Sequence, residues 1–153
     1  MITKVNKSRK EYKCSKCGQI IPIGSSYLRG DLNFSKPIIR CTKCGLKPYE
    51  VTTSEYVRSV GAIVEDWRQL YSPDEDGRDN IVDDLGAIRD ELQDHFDNMP
   101  EGLQYGDTGQ LLEERISYLD DAITELEEID FEDNDEEIDF EELIDNALSN
   151  IEY

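Results

Sequence analysis

The stretch CSKCGQIIPIG at residues 14–24 decides the fold of the N-terminal part of this chain, and CTKCG at residues 41–45 repeats its cysteine spacing. The 153 residues include four cysteines, and all of them belong to these two pairs: Cys14, Cys17, Cys41 and Cys44. Two C-x2-C pairs, here separated by 23 residues, are typical of a closed tetrahedral site with four thiolate ligands. We therefore predict one structural zinc ion held by the four cysteines.

A glycine follows each pair, Gly18 and Gly45. The residue after a cysteine turn of this kind often needs a positive φ angle, which glycine adopts freely. Iron remains an alternative metal, because four thiolates in a tetrahedron suit both ions. Two disulfides would suit a secreted chain, and redox use of one pair would need a βαβ setting that the sequence does not predict. Short strands are predicted around Gly24 and into the second pair.

The segment YKCSKCGQIIPIGSSY, followed by RCTKCG, resembles the pattern C-x2-C-G-x2-I-x2-G-x2-Y with a second C-x2-C. Ile21, Gly24 and Tyr27 occupy the I, G and Y positions. The pattern is similar to small zinc-ribbon or treble-clef proteins, many of them encoded by bacteriophages. The resemblance covers about residues 10–47 and implies a zinc-stabilised module, since such families mostly have no assigned activity. Members with a histidine near the site are not matched here, because the single histidine is His95.

The charge is distributed very unevenly along the chain. Residues 1–50 carry 11 Lys/Arg and 3 Asp/Glu, a net charge of +8, whereas residues 51–153 carry 5 Lys/Arg and 33 Asp/Glu, a net charge of −28. Such an asymmetry predicts two modules with different electrostatic partners. We expect a basic four-cysteine zinc-ribbon module at 1–50 and an acidic helical domain at 51–153.

Apolar residues recur at helical spacing after residue 50, with Tyr56, Val60, Ile63, Trp67 and Leu70 as the first stripe. The last stripe is expected to run through Phe140, Leu143, Ala147 and Ile151. Four helices are predicted, at about 53–71, 79–97, 108–129 and 139–152. The expected fold class is a small β-rich zinc ribbon plus an all-α acidic helical hairpin or bundle.

The acids of the C-terminal part define the predicted partner-binding surface. From residue 116 to 153 there are 16 acids in 38 residues, or about one charge per 3.6 Å of helix. A DNA strand presents about one charge per 3.4 Å, so this arrangement looks like the strategy of phage DNA-mimic inhibitors. The residues assigned to this surface are Asp120, Asp121, Glu125, Glu127, Glu128, Glu132, Asp133, Asp135, Glu136, Glu137, Glu141 and Glu142. The predicted partner is a basic host protein, in particular one that binds nucleic acid.

A nucleic-acid-binding zinc ribbon is the alternative function. The basic side chains would contact phosphates, and Tyr12, Tyr27 or Phe34 would stack on bases. The candidate phosphate contacts are Lys13, Lys16, Arg29, Lys36, Arg40, Lys43 and Lys47. Neither hypothesis involves catalysis, since no Ser/His/Asp or Cys/His pair is predicted to assemble.

The expected location is a cytoplasm, and the bacterial host cytoplasm if a phage encodes the chain. The start of the chain has basic residues without an apolar stretch after them, and no segment approaches the roughly 20 apolar residues of a membrane span.

Overall fold

The computed structural model describes residues 1–32, 35–131 and 139–153. The chain divides into two compact units, Met1–Arg58 and Ser59–Tyr153. The first unit contains short antiparallel strands and the second contains helices, so the fold is mixed α and β. The two units are described separately below.

Five short strands form two antiparallel sheets in the first unit. In the larger sheet β4 lies between β1 and β5, with Tyr27 of β4 opposite Cys41 of β5. In the smaller sheet β2 pairs with β3, and Lys13 lies opposite Ile20. A short 3-10 helix, Pro48–Glu50, follows the second cysteine pair. The strands are β1 (Ile2–Val5), β2 (Tyr12–Lys13), β3 (Ile20–Ile21), β4 (Tyr27–Gly30) and β5 (Ile38–Cys41).

The core beside the cysteines is small. Cys14, Ile21 and Tyr27 are buried at its centre. The half-buried residues packed around them are Val5, Tyr12, Ile39, Cys41 and Cys44. A core of this size buries little apolar area, and domains of this kind usually depend on a metal ion or disulfides for stability.

The helices are α1 (Glu55–Leu70), α2 (Glu75–Asp97), α3 (Glu101–Gln104), α4 (Asp107–Glu127) and α5 (Phe140–Ser149). The boundary between the two units falls within α1. In the second unit α4 packs against α2, α3 and α5. None of the helices in the described part of the chain combines the length and apolar character needed to cross a membrane.

The second helix begins about four residues earlier than its apolar stripe indicated. Asp74 is its N-cap, and the Asp74 carboxylate accepts a hydrogen bond of 2.8 Å from the Gly77 backbone N–H. Gly77, which precedes the predicted start at about residue 79, therefore lies in the first turn of α2. The segment before α4 contains a further short helix, α3, that the sequence did not predict.

The buried faces agree with the predicted stripes except at two positions. Leu70, at the end of α1, is 56% exposed, and Leu143 of α5 is 40% exposed. On α5 the buried face runs instead through Ile144, Ala147 and Leu148. The sequence allowed either face, because residues 143 and 144 both lie one turn before Ala147 or Leu148.

Candidate metal centre

The four cysteine sulfurs form one cluster. All four Sγ atoms lie within 4.8 Å of one another, and the distance between Cys17 Sγ and Cys41 Sγ is 3.8 Å. A tetrahedral ion with metal–sulfur bonds of about 2.3 Å requires sulfur–sulfur distances of about 3.8 Å. The four residues predicted from their spacing are therefore brought together in a geometry that fits one metal ion.

Each pair belongs to a tight turn, which we call the first knuckle (residues 14–18) and the second knuckle (residues 41–45). The first knuckle connects β2 to β3, and the second begins at the last residue of β5. Gly18 has φ +73° and Gly45 has φ +68°, which confirms the prediction from their position after each pair. The Gly18 N–H donates to the Cys14 carbonyl oxygen over 3.0 Å and closes the first turn.

Three hydrogen bonds hold the first knuckle against β5. Ser15 donates to the Ile39 carbonyl oxygen from both its backbone N–H, over 2.9 Å, and its hydroxyl, over 2.8 Å. The Cys41 N–H points at the Cys14 Sγ over 3.4 Å. The ligand positions are thus fixed by strand pairing and turn geometry rather than by long side chains.

The electrostatics of the thiols favour binding of a cation. Burial raises the pKa of Cys14, but hydrogen bonds from the backbone of Cys17, Cys41 and Lys16 outweigh it and lower the pKa to about 6. The pKa of Cys41 is also lowered, chiefly by the backbone N–H of Cys44. Hydrogen bonding to Cys41 raises the pKa of Cys44 to about 12, so this thiol keeps its proton near neutral pH. A metal ion would displace that proton.

Arg40 was assigned to nucleic acid by the sequence, but the structure gives it an internal role. Its side chain is only 13% exposed, and its Nη2 lies 2.6 Å from Glu50 Oε1. Its Nη1 donates to the Ser15 hydroxyl of the first knuckle. The other Glu50 oxygen accepts the Lys47 N–H over 2.9 Å. Arg40 thus links the first knuckle to the 3-10 helix. Sequence spacing offered no signal for this network, since Glu50 lies ten residues away.

The remaining candidate phosphate contacts differ in how accessible they are to a nucleic acid. The exposed ones are Lys13, Lys16, Lys36 and Lys43. Arg29 is exposed but pairs with Asp31 over 2.7 Å, and the Lys47 ammonium lies 5.9 Å from the centre of the Tyr49 ring.

The predicted stacking residues do not form an exposed aromatic surface in the described part of the chain. Tyr27 is 5% exposed, so its ring is part of the core and does not offer a face to a base. Tyr12 is half-buried, and its ring centre lies 5.0 Å from that of Tyr27. Phe34 lies outside the described residues.

Seven of the twelve predicted acidic positions are described, and all of them are exposed. They are Asp120, Asp121, Glu125, Glu127 and Glu128 at α4 and its C-cap, and Glu141 and Glu142 on α5. Glu132, Asp133, Asp135, Glu136 and Glu137 lie outside the described residues. Two of the seven have internal cation partners: Asp120 contacts Arg89 over 3.0 Å, and Glu141 contacts Arg68 over 3.1 Å.

The second unit has few cations to offset its acids. Residues 59–153 contain 32 Asp/Glu and 4 Arg, a net charge of −28. Arg68 pairs with Glu141 and Asp145, Arg78 with Asp79, and Arg89 with Asp90 and Asp120. The fourth, Arg115, also has an interaction partner. The arginines are thus engaged within the chain and leave a large acidic excess.

The fold and the site define a two-unit protein with a four-cysteine metal-binding cluster in a small β unit and a strongly acidic helical unit. Comparisons of the chain with protein-family models, curated proteins and solved structures found no match. Any functional conclusion therefore rests on the residues and geometry described above.

Proposed function

We propose that this protein is a non-enzymatic interaction protein, in which a zinc ion stabilises the β unit and the acidic helical unit binds a basic protein that itself binds nucleic acid. The zinc assignment is supported by the all-thiolate ligand set and the spacing of the sulfurs. Four protein ligands leave no open coordination position, which is the pattern of a structural site rather than a catalytic one.

The observation that carries the proposal is the exposed acidic side of α4. The buried residues Leu119, Ile123 and Leu126 occupy one side of this helix, and exposed acids cover much of the remaining surface. We call this set the acidic surface; it comprises Glu113, Glu114, Asp121, Glu125, Glu127 and Glu128.

Like charges three or four residues apart on a helix destabilise it. An acidic surface of this density therefore has an energetic cost in the isolated protein, and binding to a cationic surface relieves it. Residues 113–128 of α4 and its C-cap contain seven acids in 16 residues, or about one charge per 3.4 Å of helix. This spacing is close to that of a DNA strand and favours a partner that normally binds nucleic acid. In that role the protein acts as a DNA-mimic inhibitor or modulator, and the proposed source is a bacteriophage.

The test is capture of a partner from bacterial lysate by the full chain, followed by competition with a DNA duplex. We expect one basic, nucleic-acid-binding protein to be captured and then displaced by the duplex. A variant in which Asp121 is replaced by Asn, and Glu125, Glu127 and Glu128 by Gln, should no longer capture this protein. The matched control carries amides at Asp83, Glu91, Asp94 and Asp97, four exposed acids of α2, and should retain most of the binding. The proposal is contradicted if capture survives replacement of the four acids at 121, 125, 127 and 128, or if it is lost equally in both variants.

A nucleic-acid-binding function of the β unit is the second candidate, favoured by the exposed lysines Lys13, Lys16 and Lys43 on or beside the two knuckles. Gel-shift measurements at low salt separate the two hypotheses. Binding of DNA or RNA by the intact protein, weakening steeply as salt rises, supports the second candidate and contradicts the mimic. The matched variant replaces Lys13, Lys16 and Lys43 with glutamine.

A further inference from the structure

An open groove of about 440 Å³ runs between α2 and α4 in the second unit. The two helices are antiparallel: Arg89 of α2 contacts Asp120 of α4, and further along Phe96 lines the groove together with Glu113. The groove is lined by Gln93 and Phe96 of α2 and by Glu113, Ile116, Ser117, Asp120 and Asp121 of α4.

The helical repeat explains the composition of the groove. Residues 113, 116, 117 and 120 are spaced by three or four positions, so they lie along the side of α4 that borders α2. Ile116 and Phe96 are half-buried and form an apolar floor, whereas Glu113, Asp120 and Asp121 are exposed at the rim. The groove therefore combines apolar contact area with carboxylates along its edge.

One end of the groove shows how its rim binds a guanidinium. Arg89 Nη1 donates to Asp120 Oδ1 over 3.0 Å and bridges α2 and α4. One turn further along α2 the corresponding residue is Gln93, which is uncharged. Among the described residues, neither Glu113 nor Asp121 has an ion-pair partner. The rim thus continues an arginine-binding pattern beyond Arg89, the last arginine of α2.

We propose that this groove binds an arginine side chain of the basic partner, an inference that rests on the proposed function and names its contact point. The aliphatic part of an arginine packs on apolar surface while its charged end stays at the rim. The guanidinium would lie over the Phe96 ring and donate to Glu113, while Asp121, two turns further along α4, would attract the same basic segment at the other end of the groove. Arginine fits better than lysine, because its planar group stacks on aromatic rings and donates to carboxylates in pairs.

The test uses the full chain and a fluorescein-labelled peptide of alternating arginine and glycine, followed by fluorescence anisotropy at low salt. The groove variant is Glu113→Gln with Asp121→Asn. The control variant is Glu127→Gln with Glu128→Gln, which removes the same two charges from the same acidic surface outside the groove. We expect the groove variant to weaken binding about tenfold and the control less than about twofold, since charge-assisted contacts exceed long-range attraction.

A second pair of measurements tests the contribution of the Phe96 ring to the groove. Phe96→Leu keeps an apolar floor but removes the ring, and we expect it to reduce the preference for the arginine peptide over a lysine peptide of the same charge. Tryptophan fluorescence checks that each variant stays folded. Equal weakening by the groove and control variants overturns the groove while leaving the acidic surface as the binding site. Absence of peptide binding by the wild-type protein overturns the groove, whereas the proposed function is overturned only by failure of the lysate capture.

Discussion

The Sγ atoms of Cys17 and Cys41 lie 3.8 Å apart although 24 positions separate the two residues in the chain. Their proximity results from the return of β5 alongside β4 and from the hydrogen bonds of Ser15 to Ile39. Each cysteine pair is therefore formed locally, whereas the four-sulfur cluster requires the sheet.

Replacing a cysteine should unfold the β unit. We expect Cys14→Ser to lose bound zinc and the dispersed NMR signals of residues 1–58, because structural zinc contributes much of the folding free energy of such small units. The measurements are metal content of the purified protein and a two-dimensional amide spectrum. Thr42→Ser, at an exposed position within the second knuckle, is the control and should leave both unchanged. Full zinc content in Cys14→Ser would show that the assigned ligand set is wrong.

The Arg40–Glu50 pair should make the stability of the β unit depend on pH. Burial raises the pKa of Glu50, but the Lys47 N–H and Arg40 outweigh it, so the pKa in the folded protein is lowered. The stabilisation is then complete above the unfolded pKa of about 4.3 and is lost as pH falls through the lower folded value. Glu50→Gln should cost about 1–3 kcal/mol at pH 7.

Thermal unfolding of wild type and Glu50→Gln at matched pH values measures this contribution. The difference in unfolding free energy should be largest near neutral pH and should shrink towards zero in acid. Glu11→Gln, at an exposed position, controls for the change in total charge. A difference that stays constant down to pH 3 would contradict the ion pair.

Trp67 and Asp145 join α1 to α5 within the second unit. The indole N–H of Trp67 donates to Asp145 Oδ1 over 2.7 Å, and Trp67 is 1% exposed. Asp145→Ala leaves this buried donor without an acceptor and should cost about 1–3 kcal/mol of unfolding free energy. Asp145→Asn retains an acceptor oxygen and should cost less.

Urea unfolding followed by fluorescence checks this prediction directly, because Trp67 is the only tryptophan of the chain. Glu142→Ala, an exposed position on the same helix, should change the midpoint little. Equal effects of Asp145→Ala and Asp145→Asn would mean that the carboxylate acts through Arg68 rather than through the indole.

Two glycines of α2 should respond oppositely to alanine. A Cβ at Gly77 would lie 1.8 Å from the Ser72 carbonyl oxygen, whereas a Cβ at Gly86 would meet no atom within 4 Å. Gly77→Ala should therefore destabilise the second unit by more than about 1 kcal/mol. Gly86→Ala should stabilise it by about 0.5–1 kcal/mol, since alanine favours a helix interior. Helical circular dichroism during thermal unfolding measures both, and equal midpoints would contradict the close approach at Gly77.

The metal ligands could be predicted because the signal is local. A C-x2-C pair followed by glycine encodes one turn, and the positive φ angles of Gly18 and Gly45 agree with that interpretation. The helix stripes were also predictable, since their period follows from the 3.6-residue repeat. The choice between Leu143 and Ile144 on α5 was not, because it depends on the surface against which the helix packs.

By itself, the sequence determined the four thiol ligands, the glycines of their turns, the helical segments and the separation of charge between the two parts of the chain. These features depend on residues within a few positions of one another. Only the tertiary structure placed Arg40 beside Glu50 and brought Phe96 and Glu113 into one groove, because both arrangements depend on how separate elements pack. Local sequence spacing thus determines the metal-binding residues, whereas the groove on the acidic unit arises from the antiparallel register of α2 and α4.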